Sequence, residues 1–126
     1  MILVDTSVWI DHFREPDQLL FDLLIREKIL IHPYVIGELA LGNLANRKAK
    51  LQDLQDLTQV TTATDFEALE LIERQNLFGK GIGYVDTHLL ASLHLTPGTR
   101  LWSRDKRLAA IATGMDLCFN PDKFLH

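Results

Sequence analysis

Four short, largely apolar runs constrain this chain most. Ile2-Leu3-Val4, Ile29-Leu30-Ile31, Arg100-Leu101-Trp102 and Leu117-Cys118-Phe119 are each too brief for a helix and lack the apolar-polar alternation of a half-exposed strand. Segments of helical periodicity separate them. Strands that are apolar on both faces and alternate with helices belong to a parallel sheet covered on both sides. The expected class is therefore α/β, and 126 residues is close to the commonest size for a single domain, here spanning 1–126.

The intervening segments read as helices. Asp5, Thr6 and Ser7 are good N-caps for a helix carrying Val8, Trp9, Ile10 and Phe13, and Pro16-Asp17 opens another with Leu19, Leu20, Leu23 and Leu24. His32-Pro33 begins a third helix from Tyr34 to about Leu44, followed by a more polar one from about Arg47 to Leu57. Thr58 to Thr62 reads as a further strand. Thr64 or Asp65 then caps a helix with Phe66, Leu69 and Ile72 facing inward and Glu67, Glu70 and Glu73 outward. After the glycine-rich loop Gly79-Lys80-Gly81-Ile82-Gly83, Tyr84 to Leu95 forms a strongly apolar helix, and Ser103 caps one running from Arg104 to about Thr113.

Seventeen acidic and 13 basic side chains give a formal net charge of −4, which does not advertise a polyanion as partner. Acids clustered around divalent cations would reverse that local balance, so net charge alone does not exclude nucleic acid. No run reaches the apolar length of a membrane span, and the N-terminal strand lacks the basic start of a signal peptide, so a cytoplasmic protein is expected. The single cysteine, Cys118, lies between Leu117 and Phe119 and reads as a packing residue.

Four carboxylates stand where a folded protein normally avoids them. In an open parallel sheet the ligand crevice lies beyond the carboxyl ends of the strands. Asp5 follows the first strand directly, and Asp105 comes three residues after Trp102. Asp86 shares a helical stripe with Leu89, Leu90 and Leu93; Glu38 shares one with Val35 and Leu41, so both are expected to point inward. Asp5 and Asp105 taken singly also fit as plain helix N-caps. Four acids meeting without a partner would repel one another until one stayed protonated. Oxygen-only ligation without histidine or cysteine suits Mg2+ or Mn2+, ions that keep waters and bind phosphates. That donor set favours phosphoryl transfer.

The segments Ile2 to Asp11, the Glu38 helix, Gly83 to Ala91 and Leu101 to Asp105 together resemble a PIN domain, and more narrowly the VapC ribonuclease toxins of bacterial toxin-antitoxin pairs. The resemblance runs through almost the whole chain. It implies a three-layer α/β/α sandwich with a central parallel sheet, and an endoribonuclease dependent on one or two Mg2+ or Mn2+ ions, hydrolysing RNA through a metal-activated water. Its acidic set falls on Asp5, Glu38, Asp86 and Asp105. The family usually has threonine two residues before the fourth acid, where this chain has Ser103; Ser103 and Thr6 are supporting, water-orienting candidates. The same resemblance implies a homodimer and a cognate antitoxin protein that blocks the site.

Other signals carry less. A two-histidine ribonuclease mechanism is disfavoured because His88, two residues past Asp86, points to a different side of its helix, and His126 is terminal. Arg104 and Arg107 flank Asp105 and are candidates for RNA phosphate contacts, whereas Arg47, Lys48 and Lys50 read as a solvated face. Trp9 is expected in packing rather than base stacking. A Mg2+-binding phosphoacceptor receiver domain is the rival from another class, but it needs an acidic pair after the first strand and an acid ending a mid-chain strand, and neither is present. A catalytically silent PIN-like binding module is the third alternative.

Overall fold

A computed structural model of the chain describes residues 1–124. Its elements run β1 (Ile2–Val4), α1 (Thr6–Arg14), α2 (Gln18–Ile25), β2 (Ile29–Leu30), α3 (Pro33–Ala40), α4 (Arg47–Gln55), α5 (Asp65–Arg74), α6 (Tyr84–His94), β3 (Arg100–Trp102) and α7 (Lys106–Gly114), with a 3-10 turn at Pro121–Phe124. The three strands form one parallel sheet in the order β2-β1-β3. Its strands are buried almost throughout, and Leu3, Val4 and Leu101 are fully inaccessible. Double-sided coverage thus follows from the unbroken apolar runs.

This strand order positions the site. From β1 the chain moves to one side for β2 and returns much later on the other side for β3. The helices that follow β1 and β2 and the one that follows β3 therefore diverge at the carboxyl end of β1, the topological switch point where a crevice opens. The Asp5 amide donates to the Trp102 carbonyl at 2.9 Å, carrying the β1–β3 pairing one step past the strand and into that crevice.

Several expected elements are shorter or differently phased. Thr58 to Thr62 and Leu117 to Phe119 contribute only single parallel bridges, Ile31 to Gln59 and Leu101 to Cys118, one at each edge of the sheet. Helix α3 ends at Ala40 rather than near Leu44 because Gly42-Asn43 follows at once. Ser103 does not cap α7. Asp105 does, accepting from the Arg107 and Leu108 amides at 3.0 and 3.1 Å, and the helix begins at Lys106.

In α5 the inward stripe is Ala68 and Leu71 with half-buried Ile72, while Phe66 and Leu69 are exposed. Helix α5 packs chiefly on α6, and the Thr64–Glu67 capping box fixes where its first turn starts. Trp9 sits in the core as expected. Cys118 is half-buried and partly packed against the core. Among the described residues no helix is long and apolar enough to cross a membrane. His126 lies outside the described residues.

Candidate active site

Asp5 is buried and occupies the N-cap position of α1, yet its side chain makes no capping bond there. The plain N-cap reading of this residue is therefore wrong. Its Oδ2 instead accepts two hydroxyls, Ser7 Oγ and Ser103 Oγ, each at 2.8 Å. Each serine in turn accepts a backbone N–H from the loop leading into α7: Arg104 N to Ser7 Oγ at 2.9 Å, and Asp105 N to Ser103 Oγ at 3.1 Å. The two hydroxyls act as pins between Asp5 and that loop, fixing the rotamer of a buried carboxylate. With Oδ2 doubly occupied, Oδ1 accepts no hydrogen bond among the described residues. Ser103 thus bonds Asp5 directly, and Ser7, which the sequence showed only as a capping candidate, bonds the same oxygen.

Asp105 spends Oδ1 on the amides of α7, so for this residue the capping role is real and leaves Oδ2 free of hydrogen bonds. Asp86 is the third residue of α6, and its Oδ2 accepts the Gly83 amide at 3.3 Å, closing the first turn of that helix. Glu38 departs from expectation. It is exposed, and Leu41, used to assign its phase, is 91% exposed. Of the other residues on its stripe, Val35 is buried while Leu41 is in solvent, and the Glu38 Oε1 accepts the Thr6 hydroxyl at 2.7 Å. Thr6 therefore holds Glu38 against the start of α1.

Electrostatics brings the four acids together. Asp86 is pushed up to about 6, first by burial and then by the charges of Asp5, Asp105 and Glu38, with the Gly83 amide pulling the other way. One carboxylate feeling three others, two at helix N-caps and one within α3, marks a shared negative crevice. Among the described residues no three histidine, cysteine or acidic side chains close into a ready-made metal cage. The chemistry of the donors nevertheless fits a hard dication that retains waters: all-oxygen ligands, an inward-braced Asp5 with one free oxygen, and mutual repulsion that a cation would relieve.

The flanking arginines differ. Arg104 donates to Asp11 Oδ2 at 2.8 Å and Asp17 Oδ2 at 2.7 Å, clamping the α7 approach to the corner between α1 and α2. Its guanidinium is paired with both aspartates. Arg107 has its guanidinium against Gly81. His88 is buried and its Nε2 meets Asp65 Oδ1 at 2.9 Å. Asp65 also accepts the Tyr84 hydroxyl at 2.8 Å, so this histidine is tied into the α5–α6 packing and away from the acids.

An α/β protein whose parallel sheet carries a hydroxyl-braced carboxylate at its switch point, facing three further acids, has the architecture of an acidic phosphodiester-cleaving site. Residues 2–114 match the PIN domain, and the chain belongs to that family. It is 50% identical over 110 residues to Ribonuclease VapC32 of Mycobacterium tuberculosis, in both strain CDC 1551 / Oshkosh and strain ATCC 25618 / H37Rv, covering 87% of this chain and 89% of the relative. Membership of the PIN family removes the phosphoacceptor receiver reading.

Proposed function

We propose that the whole chain acts as one nuclease domain, a Mg2+- or Mn2+-dependent endoribonuclease that is the toxin of a type II toxin-antitoxin pair. The observation that carries this reading is the electrostatic convergence of Asp5, Glu38 and Asp105 on Asp86, in a chain half identical to a ribonuclease over most of its length. The four acids would hold one or two ions. When bound, the metal supplies a water nucleophile at neutral pH and stabilises the leaving oxygen. Around it, Ser7 and Ser103 keep Asp5 in one rotamer, Thr6 orients Glu38, and the Gly83 amide holds Asp86 at the head of α6.

The partners follow from the same reading: an RNA substrate, a cognate antitoxin that covers the acids, and a second copy of the chain. The exposed Phe66 and Leu69 on α5 support self-association, because side chains of that size are seldom left side by side in water.

Purified protein incubated with Mg2+ and total RNA tests the activity. Cuts with 5′-phosphate and 3′-hydroxyl ends are expected, and Asp5→Asn or Asp86→Asn should abolish them with the fold intact. Cleavage surviving both substitutions, or products ending in 2′,3′-cyclic phosphate, would reject the assignment. No cleavage of any RNA would leave the silent-module reading in its place.

A further inference from the structure

The glycine loop between α5 and α6 has one position whose missing side chain is occupied by something else. Gly81 has φ +79°, and a Cβ built on it would lie 2.5 Å from Arg107 Nη1, 3.0 Å from its Cδ and 3.1 Å from its Cζ. The guanidinium of Arg107 therefore lies directly against the Gly81 backbone, in space that a Cβ would take only by displacing the arginine, and the positive φ favours glycine there. By contrast, a Cβ at Gly79 or Gly83 would meet nothing within 4 Å.

Arg107 is exposed and forms no ion pair or side-chain hydrogen bond among the described residues, although it follows Asp105 by only two positions. Its own amide is bonded to Asp105 Oδ1 at 3.0 Å, so its backbone is fixed one residue pair from that acid. Gly81 lies two residues before Gly83, whose amide holds Asp86. The arginine thus bridges the loop that orients one acid and the helix start that carries another. Arg104, the other cation beside Asp105, is neutralised by Asp11 and Asp17. An exposed, unpaired cation seated on the loop that leads to Asp86 is arranged to meet an anion arriving from outside.

We propose that Arg107, seated on Gly81, grips a backbone phosphate of the RNA flanking the scissile one, and that Gly81 is a positioning residue for that contact. This rests on the ribonuclease reading given above. The planar fork of arginine offers two parallel donors to one phosphate, and the seat keeps those donors from folding into the acids. A phosphate contact of this kind carries no base identity, so it sets affinity and register and leaves sequence choice to other contacts.

Arg107→Ala, Arg107→Lys, Gly81→Ala and Lys106→Ala are compared with wild type. Lys106 is an exposed cation in the same helical turn without a glycine seat. Steady-state cleavage of a fluorescent single-stranded RNA is expected to show KM raised roughly tenfold in Arg107→Ala with kcat changed less than threefold, and a smaller rise in Arg107→Lys. Binding of the same oligonucleotide in an Asp86→Asn background should lose about 0.7 from the slope of log affinity against log salt when Arg107 is removed, the single-strand value for one phosphate. Gly81→Ala should reproduce the KM effect, and adding it to Arg107→Ala should cost nothing further. Equal effects of Lys106→Ala and Arg107→Ala, or a wild-type KM and salt slope in Arg107→Ala, would overturn the proposal. If wild type cleaves and Asp5→Asn does not while Arg107→Ala matches wild type, only this contact fails. If wild type and Asp5→Asn are equally inert, the ribonuclease reading fails with it.

Discussion

Ser103 donates its hydroxyl to Asp5 across 98 positions of sequence, at 2.8 Å, and in the same geometry accepts the amide of Asp105 at 3.1 Å. One oxygen therefore sets the distance between two of the four acids. Ser103→Ala should weaken apparent Mg2+ affinity by about 10-fold, the lower end of what losing an outer-sphere partner costs, while Ser103→Thr, which keeps the hydroxyl, should stay near wild type. Metal titration of the cleavage rate measures both. Equal affinity in Ser103→Ala would show that Ser7 alone suffices to brace Asp5.

Arg104 and Arg107 should separate cleanly. Arg104 is partly shielded and bridges Asp11 on α1 to Asp17, the N-cap of α2. Two exposed or half-exposed charge-assisted bonds are worth roughly 1 kcal/mol together after solvent screening, so Arg104→Ala should lower Tm by a few degrees. Because the guanidinium is neutralised in place, the salt dependence of RNA binding should be unchanged. A thermal melt beside a salt titration distinguishes this structural role from a phosphate contact.

What the sequence made legible was what a single residue type forces. Ile2-Leu3-Val4 ending in Asp5 announced a buried strand and a misplaced acid, and both are found. The phase of α5 was not legible, because Phe66, Leu69 and Ile72 form one apolar row while Ala68, Leu71 and Ile72 form another that shares Ile72. Either row is a valid inner face, and docking onto α6 decides between them. Glu38 was misplaced for a related reason: Leu41, taken as a marker of the interior, is in solvent. Ser7 and the Arg104 clamp were out of reach because their partners lie up to 97 residues away. Only the pairing of β1 with β3 brings them together.

Asp86 makes the metal-free protein sensitive to pH. Its carboxyl is raised from 3.8 to about 6, chiefly by burial. The folded state therefore binds a proton more tightly than the unfolded state, and stability from this group is full below pH 3.8 and is lost as pH rises through 6. Asp86→Asn should raise the Tm of the metal-free protein at pH 7.5 by an amount equivalent to about 1 kcal/mol, after allowing for the partial exposure of the group. Mg2+ should abolish that advantage in the wild type by favouring the carboxylate. Calorimetry with and without EDTA reads both; an Asp86→Asn protein less stable than wild type without metal would contradict the repulsive crevice.

His32 acts in the opposite sense over the same range. It is the N-cap of α3, accepting the Tyr34 amide at Nδ1 at 2.9 Å, and is buried with Nε2 unpartnered. Burial first, then the charge of neighbouring His88, lowers its pKa from 6.5 to about 4. Here the unfolded state binds the proton more tightly, so stability from this group is full above pH 6.5 and falls as pH drops toward 4, by roughly 3 kcal/mol at most. His32→Asn preserves an acceptor for the Tyr34 amide and removes the titration. Whatever its absolute stability, this variant should lose less Tm between pH 7 and pH 4.5 than wild type does. Paired with Asp86→Asn, which should lose more over that interval because it lacks the acid-side gain, the comparison assigns the two opposing slopes to the helices that carry Glu38 and Asp86. Parallel pH profiles for all three proteins would place the titrating groups elsewhere.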